Sequence, residues 1–311
     1  DKLVIEERPV PRPHAGEVLI CMHASPINPS DLAFLRGVYF KKNLPVVPGI
    51  EGSGTVVAAG GGLFGRMLVG RRVACTAPNE GDGTWAEYLV TPAQNCMPLR
   101  RSISLEHGAM LVVNPLTAWS LLAMAKRARA IVQTAAAGAL GKMIVRLARQ
   151  RGLVTINIVR REEQVATLRA LGAEHVLNSS DADFETRLFE ICRAEDARLA
   201  FDAVGGEMSG KLLSALSNGG RLIIYGGLAN QPCVIDPRMF IVAGKSVEGF
   251  HLGRAMRHLR VGQRLNMVRH IQRALGRELQ SDIQARVPFA EAVQAIPQYT
   301  QNMSTGKVLL M

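Results

Sequence analysis

Aromatic residues make up only 5% of this 311-residue chain, with 2 Trp and 4 Tyr. A surface that reads single-stranded nucleic acid needs aromatic platforms interleaved with basic residues, and no such cluster is present. Cysteine is scarce too. Cys21, Cys75, Cys96, Cys192 and Cys233 lie far apart, with no C-x-x-C pair and no His at ligand spacing. The pattern excludes a disulfide framework and a zinc knuckle, and predicts reduced, mostly buried thiols. No apolar run reaches the roughly 18 residues of a membrane span, so no membrane partner is expected. The first residues, DKLVIEERPV, resemble neither a signal nor a transit peptide, and the expected location is cytoplasmic. The absence of an initial Met leaves room for a removed leader. There is no internal repeat and no low-complexity linker.

Acidic residues are in deficit: 26 Asp and Glu face 37 Lys and Arg, for a net charge of +11. The excess favours anionic partners such as a phosphorylated cofactor, an acyl-CoA or nucleic acid. The basic residues are dispersed except between Arg254 and Arg277, where apolar residues recur at helical spacing with Arg on the remaining positions. That pattern reads as a solvated helix face.

What the chain does have is a stretch on which the rest is organised, IVQTAAAGALG from Ile131 to Gly141, followed by KMIVRLARQRG. An apolar β-prone run breaks into small residues and resumes with helical spacing. A strand, tight turn and helix that cradle a pyrophosphate read this way. Gly138 and Gly141 let backbone approach phosphate and let helix pack on strand, and the helix start offers free N–H groups. The motif is incomplete, with Ala136 where the first glycine would stand.

Residues 3 to 8 and 17 to 24 read as strands, and Asp31 can cap a short helix through LAFLRG. In PVVPGIEGSGTVVAAGGG, glycines interrupt β-branched runs, which predicts a tightly coiled antiparallel barrel. RRVACTAP and GTWAEYLVTP supply further strands. From about residue 115 strands alternate with helices, through VTINIVR, EHVLNSS, ARLAFDAVGG and RLIIYGG, which specifies a doubly wound parallel sheet. The link from Lys126 to Ile131 is short for a helix-to-strand connection and predicts that a few residues are missing there.

In their order along the chain, SPINPSDLAFLRGVY, LPVVPGIEGSGTV, GTWAEYLV, NPLTAW, AAAGALG, LGAEHVLN, FDAVGG, YGGLANQP and GKVLLM resemble the zinc-free medium-chain dehydrogenases/reductases. The resemblance is to the branch holding NADPH:quinone oxidoreductases and 2-enoyl thioester reductases, and it covers nearly the whole length. It implies an α/β fold: a GroES-like β-barrel domain (1–114), a Rossmann doubly wound parallel-sheet domain (115–252) and a C-terminal return to the barrel (253–311), with the active site in the cleft. It also implies a homodimer.

Departures from the zinc-dependent alcohol dehydrogenases matter equally. Those enzymes place a metal-binding Cys shortly before an Asp, whereas this chain has Asn28 ahead of Asp31. Their Gly-His-Glu is here Gly49-Ile50-Glu51, and the lobe with four closely spaced cysteines is missing. No metal site is expected. Without a Lewis acid, reduction points to acceptors that take hydride by conjugate addition.

The cofactor is expected to be NADPH, because the second Rossmann strand ends in Arg160 and Arg161 where NAD-preferring folds put an acidic residue. Expected cofactor contacts are Thr117, Ala137, Gly138, Ala139, Leu140, Gly141, Arg160, Arg161, Val204, Gly205, Tyr225, Gly226, Gly227, Phe250 and His251. For chemistry the resemblance singles out Tyr39, in Gly37-Val38-Tyr39, as proton donor to an enolate, with Asn28 as a neutral donor beside it. Trp85 and Trp119 could flank a flat substrate or simply fill the core. Two function classes stand open: a reductase of quinones or activated C=C bonds, whose acceptor could be a quinone, an enone or an enoyl thioester, and a non-catalytic nucleotide- or nucleic-acid-binding protein.

Overall fold

The computed structural model describes residues 3–38 and 42–311. The chain divides into two compact units, Asp1–Pro115 with Asn266–Met311, and Leu116–Leu265. The second unit thus runs past residue 252. In chain order the strands are β1 (Glu17–Pro26), β2 (Glu51–Ala59), β3 (Arg72–Thr76), β4 (Tyr88–Pro92), β5 (Cys96–Pro98), β6 (Ala130–Gln133), β7 (Val154–Val159), β8 (His175–Asn178), β9 (Leu199–Asp202), β10 (Arg221–Ile224), β11 (Ser246–Gly249), β12 (Ile283–Val287) and β13 (Lys307–Leu310).

The first unit is built on β1, whose near-continuous apolar sequence EVLICMHASP buries side chains on both faces. It pairs antiparallel with β2, with β4 from Glu17↔Pro92 to Cys21↔Tyr88, and at its far end with β13 through Ser25↔Leu310. The seven-stranded sheet runs β12-β13-β1-β2-β3-β5, with β4 on β1. Register shifts between Leu19 and Ile20, and again between Met22 and Ala24, coil the β1–β2 ladder. The glycines of β2 allow this: a Cβ at Gly54 would stand 2.1 Å from the Cys21 carbonyl oxygen. Val18, Ile20, Val56, Val73 and Leu89 form the core beneath. A second cluster joins Ile27, Trp85, Tyr299 and Leu310, so Trp85 is a core residue.

Some expectations fail locally. Residues 3 to 8 form no strand; Val4 and Ile5 are 66% and 56% exposed. Pro9, Pro11 and Pro13 follow at once, and each removes a backbone donor a ladder would need. Asp31 caps its helix from within the first turn rather than from the N-cap position, its side chain accepting the Asn28 N–H in a capping box. The helix is Pro29–Leu35, Asn28 is the N-cap and Asp31 stands in the first turn, where Pro29 at N1 is well suited. The short strands β5 and β12 carry too little periodicity to be read from sequence.

The second unit is a six-stranded sheet in the order β11-β10-β9-β6-β7-β8, with every pairing parallel. Short strands such as AIVQ and LAFD are buried along their whole length, as a sheet covered by helices on both faces requires. The order reverses between β6 and β9, the doubly wound arrangement whose ligand crevice lies at that switch point. Val132, Ile156, Phe184, Leu212 and Leu222 form the core. The link into β6 is closed by a turn, Ala128 N–H to the Ala125 carbonyl at 2.9 Å. Among the described residues no helix is long and apolar enough to cross a membrane.

Candidate functional site

Because every strand of the second sheet is parallel, its carboxyl ends share one edge. The expected cofactor residues gather there. Gly138 to Gly141 follow β6, Arg160 and Arg161 follow β7, Val204 and Gly205 follow β9, Tyr225 to Gly227 follow β10, and Phe250 and His251 follow β11. Thr117 follows none of these strands and is buried in the helix Val113–Met124.

The turn after β6 has the geometry of an anion cradle. Gly138 is the N-cap of the helix Ala139–Gln150, whose first-turn N–H groups have no acceptor inside the helix. A Cβ at Gly141 would stand 2.3 Å from the Ala136 carbonyl oxygen and 2.6 Å from its Cα, so only glycine lets helix and loop pack this closely. Ala135 adopts φ +50°, a left-handed conformation that costs an alanine roughly 1 to 2 kcal/mol and marks a constrained loop. Gln133, fully buried, donates to the Gly141 carbonyl at 3.2 Å and to Asn157 Oδ1 at 2.7 Å. Asn157 in turn donates to the Thr155 and His175 carbonyls. This polar rung through β6, β7 and β8 ties the helix start to the sheet. Sequence reading missed it, since Gln and Asn inside buried runs were its only signal.

A second missed residue is Asp202, at the end of β9. Its Oδ1 accepts from Thr134 Oγ1 at 2.8 Å and Val204 N–H at 2.8 Å, and its Oδ2 from Ser209 Oγ at 2.7 Å and Gly205 N–H at 3.2 Å. The buried carboxylate thereby fixes the loop after β9 beside the switch point. The loops after β9 and β10 abut, a Cβ at Gly205 lying 3.7 Å from Gly227 Cα. Burial and the Asp202 carboxylate both push the Tyr225 phenol pKa upward, so Tyr225 stays neutral and can donate.

At the end of β7 the two arginines differ. Arg160 is exposed, whereas Arg161 pairs with Glu163 at 2.9 Å and is the N-cap of the helix Glu162–Ala170. Ser180 Oγ donates to the Arg160 carbonyl at 3.2 Å. His251 is the N-cap of the helix Leu252–Arg257, its Nδ1 accepting from Arg254 N–H at 3.3 Å. Trp119 lies 5.4 Å from the Arg151 guanidinium.

In the first unit, Tyr39 lies outside the described residues. Asn28 is 1% exposed. Its side-chain N–H donates to Glu51 Oε1 at 3.0 Å, its side-chain carbonyl accepts from Lys307, and its backbone N–H donates to Asp31 Oδ2 at 2.8 Å. Glu51 Oε2 accepts from Val112 and Val113 N–H at 2.9 and 2.8 Å, holding the start of the helix Val113–Met124. Lys307 also reaches the Ile27 carbonyl at 3.4 Å and lies 5.7 Å from the centre of the Tyr299 ring. Two carboxylates and one ammonium are therefore enclosed together. Burial pushes the Asp31 carboxyl up to about 7 and raises that of Glu51, against the opposing pull of hydrogen bonds and Lys307.

Where a zinc enzyme of this architecture needs soft or imidazole donors, the chain thus presents an amide, Ile50 and a carboxylate already accepting N–H bonds. Among the described residues no group of His, Cys, Asp and Glu is arranged to hold a metal ion.

Comparison with known proteins agrees with both units. Residues 14–101 match the alcohol dehydrogenase GroES-like domain, and residues 139–266 match the model described as zinc-binding dehydrogenase. The chain is 32% identical over 304 residues to the mitochondrial enoyl-[acyl-carrier-protein] reductase of Bos taurus, covering 95% of this chain and 81% of that protein. A Mesorhizobium loti structure, provisionally assigned as an NADPH:quinone reductase, superposes with a TM-score of 0.90 at 38% identity, covering 97% of this chain and 88% of that one. The quinone oxidoreductase of Thermus thermophilus, solved alone and with NADPH, gives 0.77 at 28% identity over 98% and 94%. The chain therefore belongs to the medium-chain dehydrogenase/reductase superfamily, in its quinone and enoyl reductase branch, and is an oxidoreductase of that type.

Proposed function

We propose that the chain is a zinc-independent, NADPH-dependent reductase that delivers hydride to quinones or activated C=C bonds, with 2-enoyl thioesters as the alternative acceptor class. The observation that carries this reading is the convergence on one sheet edge of the glycine turn after β6 and the arginines after β7. Related proteins described as NADPH:quinone and enoyl reductases support it, and weigh against a non-catalytic nucleic-acid binder.

NADPH, when bound, supplies the hydride. The backbone N–H groups of Ala139, Leu140 and Gly141 would hold its pyrophosphate, as at other helix N-termini that open a dinucleotide site. Arg160, exposed and beside the Arg161–Glu163 pair, suits the 2′-phosphate. Val204, Gly205, Tyr225, Gly226, Gly227, Phe250 and His251 would border the remainder, and Thr117 the nicotinamide end.

Zinc does not fit the first unit. The Asn28 carbonyl is taken by Lys307, both Glu51 oxygens accept N–H bonds, and a cation is already enclosed. Acceptors must then be activated by their own conjugation. Charge that develops on an enolate oxygen needs a donor, a role we assign to Tyr39. Asn28, enclosed as it is, serves by holding the start of the helix that leads toward Tyr39.

Two copies would pair through β11. Among the described residues that strand has a sheet neighbour on one side only, and Phe240, Ile241 and Val242 just before it are 41%, 80% and 82% exposed.

The test is direct. NADPH should quench the fluorescence of Trp119, and a screen of quinones, enones and enoyl-CoAs should find an acceptor that oxidises it. Stoichiometric zinc lost together with activity on chelation would refute zinc independence, and a monomeric mass at micromolar concentration would refute pairing.

A further inference from the structure

We propose that the first unit docks on an anionic lipid surface through the short helix Leu63–Leu68 and its flanks. The helix has six residues, LFGRML, and it buries Gly65 and Leu68 against the sheet. On a soluble surface the opposite face should be polar. Instead Leu63 is 78% exposed, Met67 63% and Phe64 50%, and the adjoining Val57 and Val69 are each 46% exposed. The helix is thus apolar on both sides, which asks for a cover.

The charges around it say what kind. Arg66, Arg71, Arg100 and Arg101 are exposed, and their side chains make no ion pair or hydrogen bond among the described residues. Phe64, Met67 and Leu99 line a groove of about 450 Å³ with Arg71, Arg72 and Arg101 at its rim. No Asp or Glu occurs from Gly52 to Asn79 or from Tyr88 to Leu105. An apolar projection beside several guanidiniums, on two chain segments that carry no carboxylate, matches acyl chains beneath a layer of phosphates. Six residues are far too few to span a bilayer, so the contact is interfacial, and it revises the expectation of no membrane partner, which rested only on the lack of a spanning run. A protein partner fits less well, because the exposed set is mainly aliphatic and lacks the Trp and Tyr anchors of interface centres.

The proposal deepens the quinone arm of the proposed function, and rests on it only for what the bilayer supplies, a lipid-dissolved quinone. Docking is measured without cofactor or acceptor, so its failure is separate from any failure of the redox reading. The chain is co-sedimented with vesicles of phosphatidylcholine, and with vesicles containing about 30% phosphatidylglycerol. Binding should be at least about tenfold tighter to the anionic vesicles. Leu63→Gln with Met67→Gln, and separately Arg66→Gln with Arg71→Gln, should each lose about tenfold or more while circular dichroism is unchanged. All four positions are exposed; Leu63→Ala with Met67→Ala replaces the first pair if it disturbs the fold. No binding to anionic vesicles overturns the proposal. So does binding indifferent to the apolar pair, which would mean that arginines elsewhere hold the lipid. Binding of polyglutamate through these residues, with vesicles ignored, would overturn it in favour of an acidic protein partner.

Discussion

Lys307, the first residue of the last strand, donates to the side-chain carbonyl of Asn28, 279 residues earlier in the chain. The contact fixes which way the amide faces, so that its N–H points at Glu51. It also places the one ammonium of the cluster beside two buried carboxylates.

Lys307→Met is expected to destabilise the first unit by about 3 to 5 kcal/mol, since it leaves buried charge uncompensated. Urea unfolding followed by circular dichroism measures this. A loss below about 1 kcal/mol, the worth of an exposed pair, would show that the network is not enclosed.

Asp31 gives the molecule a pH dependence with a definite sign. Its folded pKa is raised from 3.8 to about 7, so between these values the folded state holds a proton that the unfolded state has released. Stability contributed at this site therefore falls as pH rises through that window. Asp31→Asn keeps an oxygen for the Asn28 N–H and does not titrate. Its stability relative to wild type should rise from about pH 4 to pH 7, by an amount on the order of a few kcal/mol. A difference independent of pH would contradict the assignment.

Gly141→Ala places a methyl group against backbone atoms that cannot yield cheaply. A loss of about 1 to 3 kcal/mol in stability is expected, together with weaker dinucleotide binding. Thermal unfolding and NADPH titration report the two effects. An unchanged affinity for NADPH would mean that the turn after β6 is not the pyrophosphate cradle.

NADPH should be preferred to NADH by at least about tenfold, the effect of one charge-assisted contact of about 1.5 to 3 kcal/mol. Arg160→Ala should remove most of the preference, because Arg161 is already paired with Glu163. Equal Michaelis constants for the two cofactors in the wild type would sink this assignment.

Tyr39→Phe separates the acceptor classes. With enoyl thioesters, turnover should drop by about 10² to 10³, because the donor that meets enolate charge is gone. A quinone spreads that charge over a ring and two oxygens, so the same change should cost less than about tenfold. Unchanged turnover on an enone or enoyl thioester would make Tyr39 a packing residue.

Most of the second unit was legible in the sequence. Short apolar runs alternate with amphipathic ones, and a parallel sheet converts that alternation directly into strand order and a common carboxyl edge. The glycines and arginines that follow the strands could be named for the same reason. Among the barrel strands, β1 was legible from its near-continuous apolar run, β2 from β-branched residues interrupted by glycine, and β3 and β4 from short apolar runs between turn signals. What the sequence could not decide is which distant polar groups meet. Gln133 and Asp202 look like incidental polar residues until the sheet sets them beside the Gly141 carbonyl and the β9 loop. Residues 3 to 8 carry the composition of a strand, yet they pair with no neighbour and run straight into Pro9, Pro11 and Pro13. Asn28, read from sequence as a donor to substrate, became an interior residue only when the pairing of β13 with β1 carried Lys307 to it. Local chemistry and period are written along the chain. Burial, and the partner a buried charge finds, belong to the packing of segments far apart in sequence.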